Sequence, residues 1–140
     1  MPLVAELIVF PDPEQVLVDQ LNIDLVASED FATAKAGTRL PNPLELPFVK
    51  VLVVGGTERN LVTDEPTVVL ENYGPDEGVA SDLAAFTRAL MGRYGRLGWI
   101  GEIPCLEVRT IGRPQNLPDP VADAIRYSAT YALALRGSAV

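Results

Sequence analysis

The chain has 140 residues, 48% of them hydrophobic, which suits one packed domain without disulfides or metals and excludes a disordered chain. Its formal charge of −8, with only two lysines and scattered arginines, opposes binding to nucleic acid or an anionic membrane. Histidine is absent, which removes Ser–His and Cys–His nucleophilic pairs, the commonest general base and most zinc sites.

The single cysteine, Cys105, excludes an internal disulfide and fits a reducing compartment of synthesis. The start, MPLVAELIVFPDPEQ, has no basic leader region, and Glu6 interrupts its apolar stretch, so no signal peptide is expected. No apolar run approaches the roughly 20 residues that a spanning helix needs. A soluble intracellular chain without a membrane partner is the expectation.

In chain order, residues 1–10 read as a possible extended arm. Asp12 is placed to cap a helix, Pro13 suits its first turn, and Gln15 sits three residues after the cap as in a capping box. Leu17, Leu21 and Leu25 recur at four-residue spacing with Val18 beside them, which predicts a helix over 13–26. Ala32 to Arg39 reads as a short strand, and Leu40 to Pro47 as a proline-rich loop.

Phe48 to Gly56 (FVKVLVVGG) and Thr67 to Tyr73 (TVVLENY) read as two strands, from their β-branched density. Between them, Thr57 to Pro66 is polar and turn-prone, which predicts a connection protruding into solvent. Asp76 and Glu77 open a second helix, with Val79, Leu83, Phe86, Leu90 and Tyr94 on one face as its core stripe. Arg88, Arg93 and Arg96 match the dipole of its second half, and Gly92, Gly95 and Gly98 should stop it.

Pro104 to Ile111 reads as a strand and Gly112 to Asp123 as a loop with three prolines. In the last strand, Arg126 to Arg136, Tyr127, Ala129, Tyr131, Leu133 and Leu135 point one way and Ser128, Thr130, Ala132 and Ala134 the other. The order is helix, strand, strand, strand, helix, strand, strand. It predicts one α+β domain over 1–140, with a mixed or antiparallel sheet of about four to five strands and both helices packed on it.

Little in this pattern carries chemistry. Cys105 lies alone in a predicted strand, as buried and inert cysteines do. Asp12, Asp19, Asp24 and Asp30 form no calcium-loop string, and helix capping explains Asp76, Glu77 and Asp82 better than an acid–base pair. Val54-Gly55-Gly56-Thr57 lacks the spacing and the lysine of a phosphate loop. No catalytic, metal or cofactor residue is assigned. The candidate residues are instead for protein contact: Glu58, Arg59 and Asn60 in the polar connection, Trp99 between two glycines, and Asn116 and Asp119 in the late loop.

Several strings, in order, carry a resemblance. They are FPDPEQVLVDQL (Phe10 to Leu21), AGTRLPNP (Ala36 to Pro43), FVKVLVVGGTERNLVTDEPTVVLENY (Phe48 to Tyr73), and NLPDP (Asn116 to Pro120) followed by Arg126-Tyr127. In these the chain resembles the tail-terminator proteins of long-tailed, siphovirus-type bacteriophages. Residues 1–10 and Glu58 depart from the family's pattern. The resemblance implies a virion protein of the tail neck, assembled in the host cytoplasm as a ring, typically hexameric. Such a ring caps the head-proximal end of the tail tube, stops tube polymerisation and meets the head-completion proteins, while DNA only passes through its lumen. The partners implied are further copies of the chain, the tail tube protein and the neck proteins, with no cofactor. Other readings stay open: another neck, head-tail completion or tube protein, a small bacterial binding module, or an enzyme working with carboxylates, hydroxyls and Cys105.

Overall fold

The structure, a computed structural model, describes residues 5–122 and 124–140. Asp12 begins the first helix, α1 (Pro13–Val26), by accepting a hydrogen bond from the Glu14 N–H, with Pro13 at the first position. The expected capping box does not form. Gln15 turns outward to donate to Asp19, and Glu14 reaches a strand instead. Leu17, Leu21 and Leu25 are fully buried, as their spacing requires.

Among the described residues six strands make one curled, mixed sheet, and two short ones make a second. Before α1 stands β1 (Ile8–Val9), and after it come β2 (Lys35–Gly37), β3 (Phe48–Asn60) and β4 (Thr63–Gly74). The second helix, α2 (Glu77–Leu97), is followed by β5 (Trp99–Ile100), β6 (Ile103–Asn116), β7 (Ile125–Arg136) and β8 (Ser138–Ala139). The large sheet runs β2-β3-β4-β7-β6-β5, with β2 parallel to β3 and the remaining pairs antiparallel. The expected α+β class is therefore found, with more strands than the sequence predicts. Among the described residues no helix is long and apolar enough to cross a membrane.

The additional strands β1, β5 and β8 have two residues each, too few for any period to show in the sequence. They exist because partners are brought to them. Ile8 and Val9 pair with Ala139 and Ser138, so the described end of the expected arm lies against the chain's own C-terminal strand. Residues 1–4 of that arm lie outside the described residues. The strand expected at 32–39 shrinks to three residues. Asn22 of α1 grips Ala36 there by both its N–H and its carbonyl, holding β2 as a neighbouring strand would.

Two expected loops prove to be mostly strand. Residues 57–60 and 63–66 extend β3 and β4 into one long hairpin, whose turn is only Leu61-Val62. Their polar sequence hides this, because beyond Val53 the β3 strand rises past the helices and every residue from Val54 to Asn60 is exposed. Likewise β6 continues through Gly112 to Asn116, leaving a shorter loop before β7. Three register shifts break its alternation, and Pro114 falls in the last of them, where no ladder hydrogen bond is required of it.

The α2 helix also outlasts its expected end. Gly95 does not stop it, because a side chain there would meet Val108 at 3.2 Å, so the glycine marks close helix–strand packing. The stop is Gly98, which takes the left-handed C-cap conformation at φ 81°. Both helices cover the same face of the sheet. Against them lie Val49, Val51, Val68, Leu70, Ala129, Tyr131, Leu133 and Leu135, all buried.

Phe86 is a correction to the expected core stripe. It is only partly buried and its ring leans on Phe31 with centroids 5.3 Å apart, while Leu83, Thr87, Leu90, Met91 and Tyr94 fill the interior. Leu83→Ala is therefore expected to cost about 2–5 kcal/mol, and Phe86→Ala less than about 3 kcal/mol. Urea unfolding with an unchanged m-value checks both. A larger loss at Phe86 than at Leu83 would mean the helix is rotated from the orientation described.

Candidate functional site

Strand alternation sends a second set of side chains to the face without helices. On it stand Lys50, Glu65, Glu71, Tyr73, Arg109 and Arg126, interleaved with the small residues Ser128, Thr130, Ala132 and Ala134. The short side chains of β7 leave room for long ones to pass over it.

Toward the hairpin end, Arg59 donates to Glu65 at 3.0 Å and to Glu107 at 3.1 Å. Arg109 completes the group, 3.4 Å from both Glu65 and Glu107. Arg59 is thus not a bare loop tip; it ties β3 to β4 and to β6. The hydrogen bond to Glu65, ahead of the charge of either partner, holds its guanidinium pKa above the ordinary value.

At the opposite end, buried Glu71 accepts from Arg126, with the Lys50 ammonium 4.0 Å away. The Tyr73 hydroxyl, fully buried, donates to Asp119 at 2.9 Å. Asp119 also accepts from the N–H groups of Val121 and Ala122, and Arg126 grips the Leu117 carbonyl at 2.7 Å. The NLPDP loop is therefore tied down by β4 and β7. Hydrogen bonding from the Ala122 N–H, then from Tyr73 and Val121, outweighs desolvation and holds the Asp119 carboxyl below the ordinary aspartate range. Burial pushes the Tyr73 phenol well up, as it does that of Tyr94 beneath Asp24.

The six candidate contact residues do not converge. Glu58, Arg59 and Asn60 lie along the hairpin arm, where the Asn60 side chain accepts from the Val62 N–H to shape the turn. Trp99 is half-exposed in β5, beside a groove lined by Gln20, Asp24, Arg93, Tyr94 and Leu97. Asn116 and Asp119 sit at the far end of the sheet. Of these residues, Glu58 and Trp99 keep surface that no internal bond engages, whereas Arg59 and Asp119 are held within the chain. Sequence reading missed Leu61 at the hairpin tip, 83% exposed, because an apolar residue between polar neighbours gives no local signal.

Cys105 is buried, its thiol donates to the Glu107 carbonyl at 3.4 Å, and burial pushes its pKa up. A hollow of about 530 Å³ beside the proline-rich loop offers only Lys35 and Glu45 as charged lining, and these pair loosely with each other at 4.0 Å. Among the described residues no three His, Cys, Asp or Glu side chains are placed to hold a metal. Burial pushes the Tyr131 phenol up to about 12, opposed by the charge of nearby Arg88, and its hydroxyl has no hydrogen-bond partner among the described residues. No protein-family model matches the chain, and neither does any curated protein.

Proposed function

We propose that the protein is a structural virion component of the tail-terminator kind. Copies of it form a ring on the head-proximal end of a tail tube, end tube growth and offer a joining surface to the neck proteins. The observation that carries the reading is the hairpin formed by Phe48–Asn60 and Thr63–Gly74. It is built from the string on which the resemblance mainly rests, and it raises a half-paired arm beyond the helices with Leu61 at its tip. The β3 side of this arm contributes nothing to the core of its own chain, since Val54 to Asn60 are all exposed, whereas its β4 side, with Thr63 and Pro66 buried, is held against β7. It is a means of touching another protein.

The charge distribution agrees. The open face carries Lys50, Arg59, Arg109 and Arg126 against Glu65, Glu71, Glu107 and Asp119, so its charges balance. A balanced lining offers passing DNA no net phosphate neutralisation. Partners of the ring are then the tail tube protein, the neck proteins and the chain itself.

Native mass spectrometry and tube-end binding test the reading together. A closed ring of identical copies is expected, alone or on tube ends, and a phage lacking the protein is expected to make tubes of uncontrolled length. A protein that stays monomeric at high concentration and ignores tube ends would overturn the proposal.

A further inference from the structure

A closed ring needs two different surfaces on each subunit, one meeting the other on the next copy. The large sheet supplies two such surfaces at its opposite sides. On one side β2 covers only Phe48 to Lys50 of β3, so the outer edge of β3 is open beyond them, apart from the Val53 N–H that Glu14 takes at 3.0 Å. On the other side β5 covers only Ile103 and Pro104 of β6, the Cys105 N–H donates to the Gly98 carbonyl at 2.9 Å, and the edge beyond Cys105 is open.

These open stretches lie at the same height in the sheet. The pairing runs from Glu58 through Asp64 and Leu135 to Cys105. It runs from Gly55 through Thr67 and Ala132 to Arg109, and from Val53 through Val68 and Tyr131 to Thr110. Rotation about an axis along the strands, without any shift, therefore brings one open stretch beside the other.

Their chemistry is complementary. Each edge is broken by register shifts, which work against simple strand addition and leave extra residues standing out. On β3 the extra residues are Val54, 58% exposed, and Arg59, which is held by Glu65 and Glu107 of its own chain; on β6 they are Leu106 and Ile111, 48% and 54% exposed, with a further shift at Arg113-Pro114. Val54 falls at the height of Arg109 and Thr110, next to Ile111 and well short of Leu106. The groove beside this edge is lined by Val53 rather than Val54, together with Pro13, Gly56, Thr57, Glu58 and Asp64, so its charged lining, Glu58 and Asp64, is acidic. Beside β6, α2 presents Arg88 near Tyr131 and Arg96 one residue beyond the Gly95–Val108 contact. Both arginines are exposed, and the ion pairs among the described residues involve neither.

We infer that the β3 flank of one copy receives the β6–α2 flank of the next. Val54 seats against Ile111, and Glu58 pairs with Arg96 across the contact. The occupant of each flank is thus a second copy of this chain, joined head to tail through an apolar centre and a charged rim. This rests on the ring reading above.

The test compares the native mass of wild type, Arg96→Glu, Glu58→Arg, the double reversal and Val54→Asp, with a thermal melt of each. All three positions are exposed, so Glu58→Arg and Val54→Asp should leave melting unchanged, while Arg96→Glu, which opposes the α2 dipole, should lower it only slightly, as should the double reversal. Each single variant should lose the ring, with association at least tenfold weaker, and the double reversal should restore it. If wild type forms a ring and both single reversals keep it, this contact is wrong while the ring reading stands. Loss in the singles without recovery in the double overturns the pairing of Glu58 with Arg96. If wild type forms no ring, alone or on tube ends, the ring reading falls and this contact falls with it.

Discussion

Glu71→Ala is expected to destabilise the protein by about 3 kcal/mol, the lower end of the range for removing one partner of a buried ion pair. Glu71 is 6% exposed and answers two cations, Lys50 and Arg126. Without it, both positive charges and the Tyr73 hydroxyl lose an acceptor inside the sheet face. The cost stays at the lower end because Lys50 and Arg126 keep some contact with water. Glu107→Ala is the matched control. Its carboxylate is about half-exposed, so its pairs with Arg59 and Arg109 are screened and its loss should be far smaller than that of Glu71. Urea unfolding of the two variants separates them. Equal losses would mean that the network around Glu71 is solvated and that the NLPDP loop is held by its backbone alone.

The same residues show what a sequence does and does not disclose. The helices were readable because burial repeats along them. Leu17, Leu21 and Leu25, or Leu83, Leu90 and Tyr94, meet the core at helical spacing. The final strand was readable for the equivalent reason, with Ala129, Tyr131, Leu133 and Leu135 all turned inward. Where a strand leaves the core, that signal ends. Thr57 to Asn60 pair with β4 above the helices, so nothing apolar marks them as strand, and they read as a loop. In β6 the signal is scrambled instead, since each register shift changes which residues share a face.

Apart from Trp99, singled out as an aromatic between glycines, the candidate contact residues lie in stretches that read as polar connections, and that logic is blind to distant partners. Arg59 meets Glu107 across 48 positions of sequence and Tyr73 meets Asp119 across 46. Only the order of strands in the sheet brings these together. Loop-like composition therefore pointed equally to residues held inside the chain, such as Asp119, and to residues left at its surface, such as Glu58.

Gly56→Ala should be the most damaging small substitution in the hairpin. Gly55 and Gly56 both adopt positive φ, 125° and 134°, where a β-carbon is strained. Strain of this kind costs of order 1–3 kcal/mol wherever it occurs. The two sites differ in what surrounds them. A β-carbon on Gly55 would meet nothing within 4 Å, whereas one on Gly56 would overlap the Glu65 carbonyl oxygen and stand 2.6 Å from the Pro66 Cα. Those neighbours are backbone in a paired strand and cannot swing aside. Gly56→Ala therefore adds an overpacking cost of about 1–3 kcal/mol to the strain. It also forces β3 away from β4 next to Val54 and Glu58, so ring formation should fail along with stability. Gly55→Ala should cost only the strain and keep whatever assembly the wild type shows. Urea midpoints and native mass, measured on both variants, decide the matter. Equal losses at the two glycines would mean that the strands separate easily here, and that the hairpin arm is not held in the paired form described.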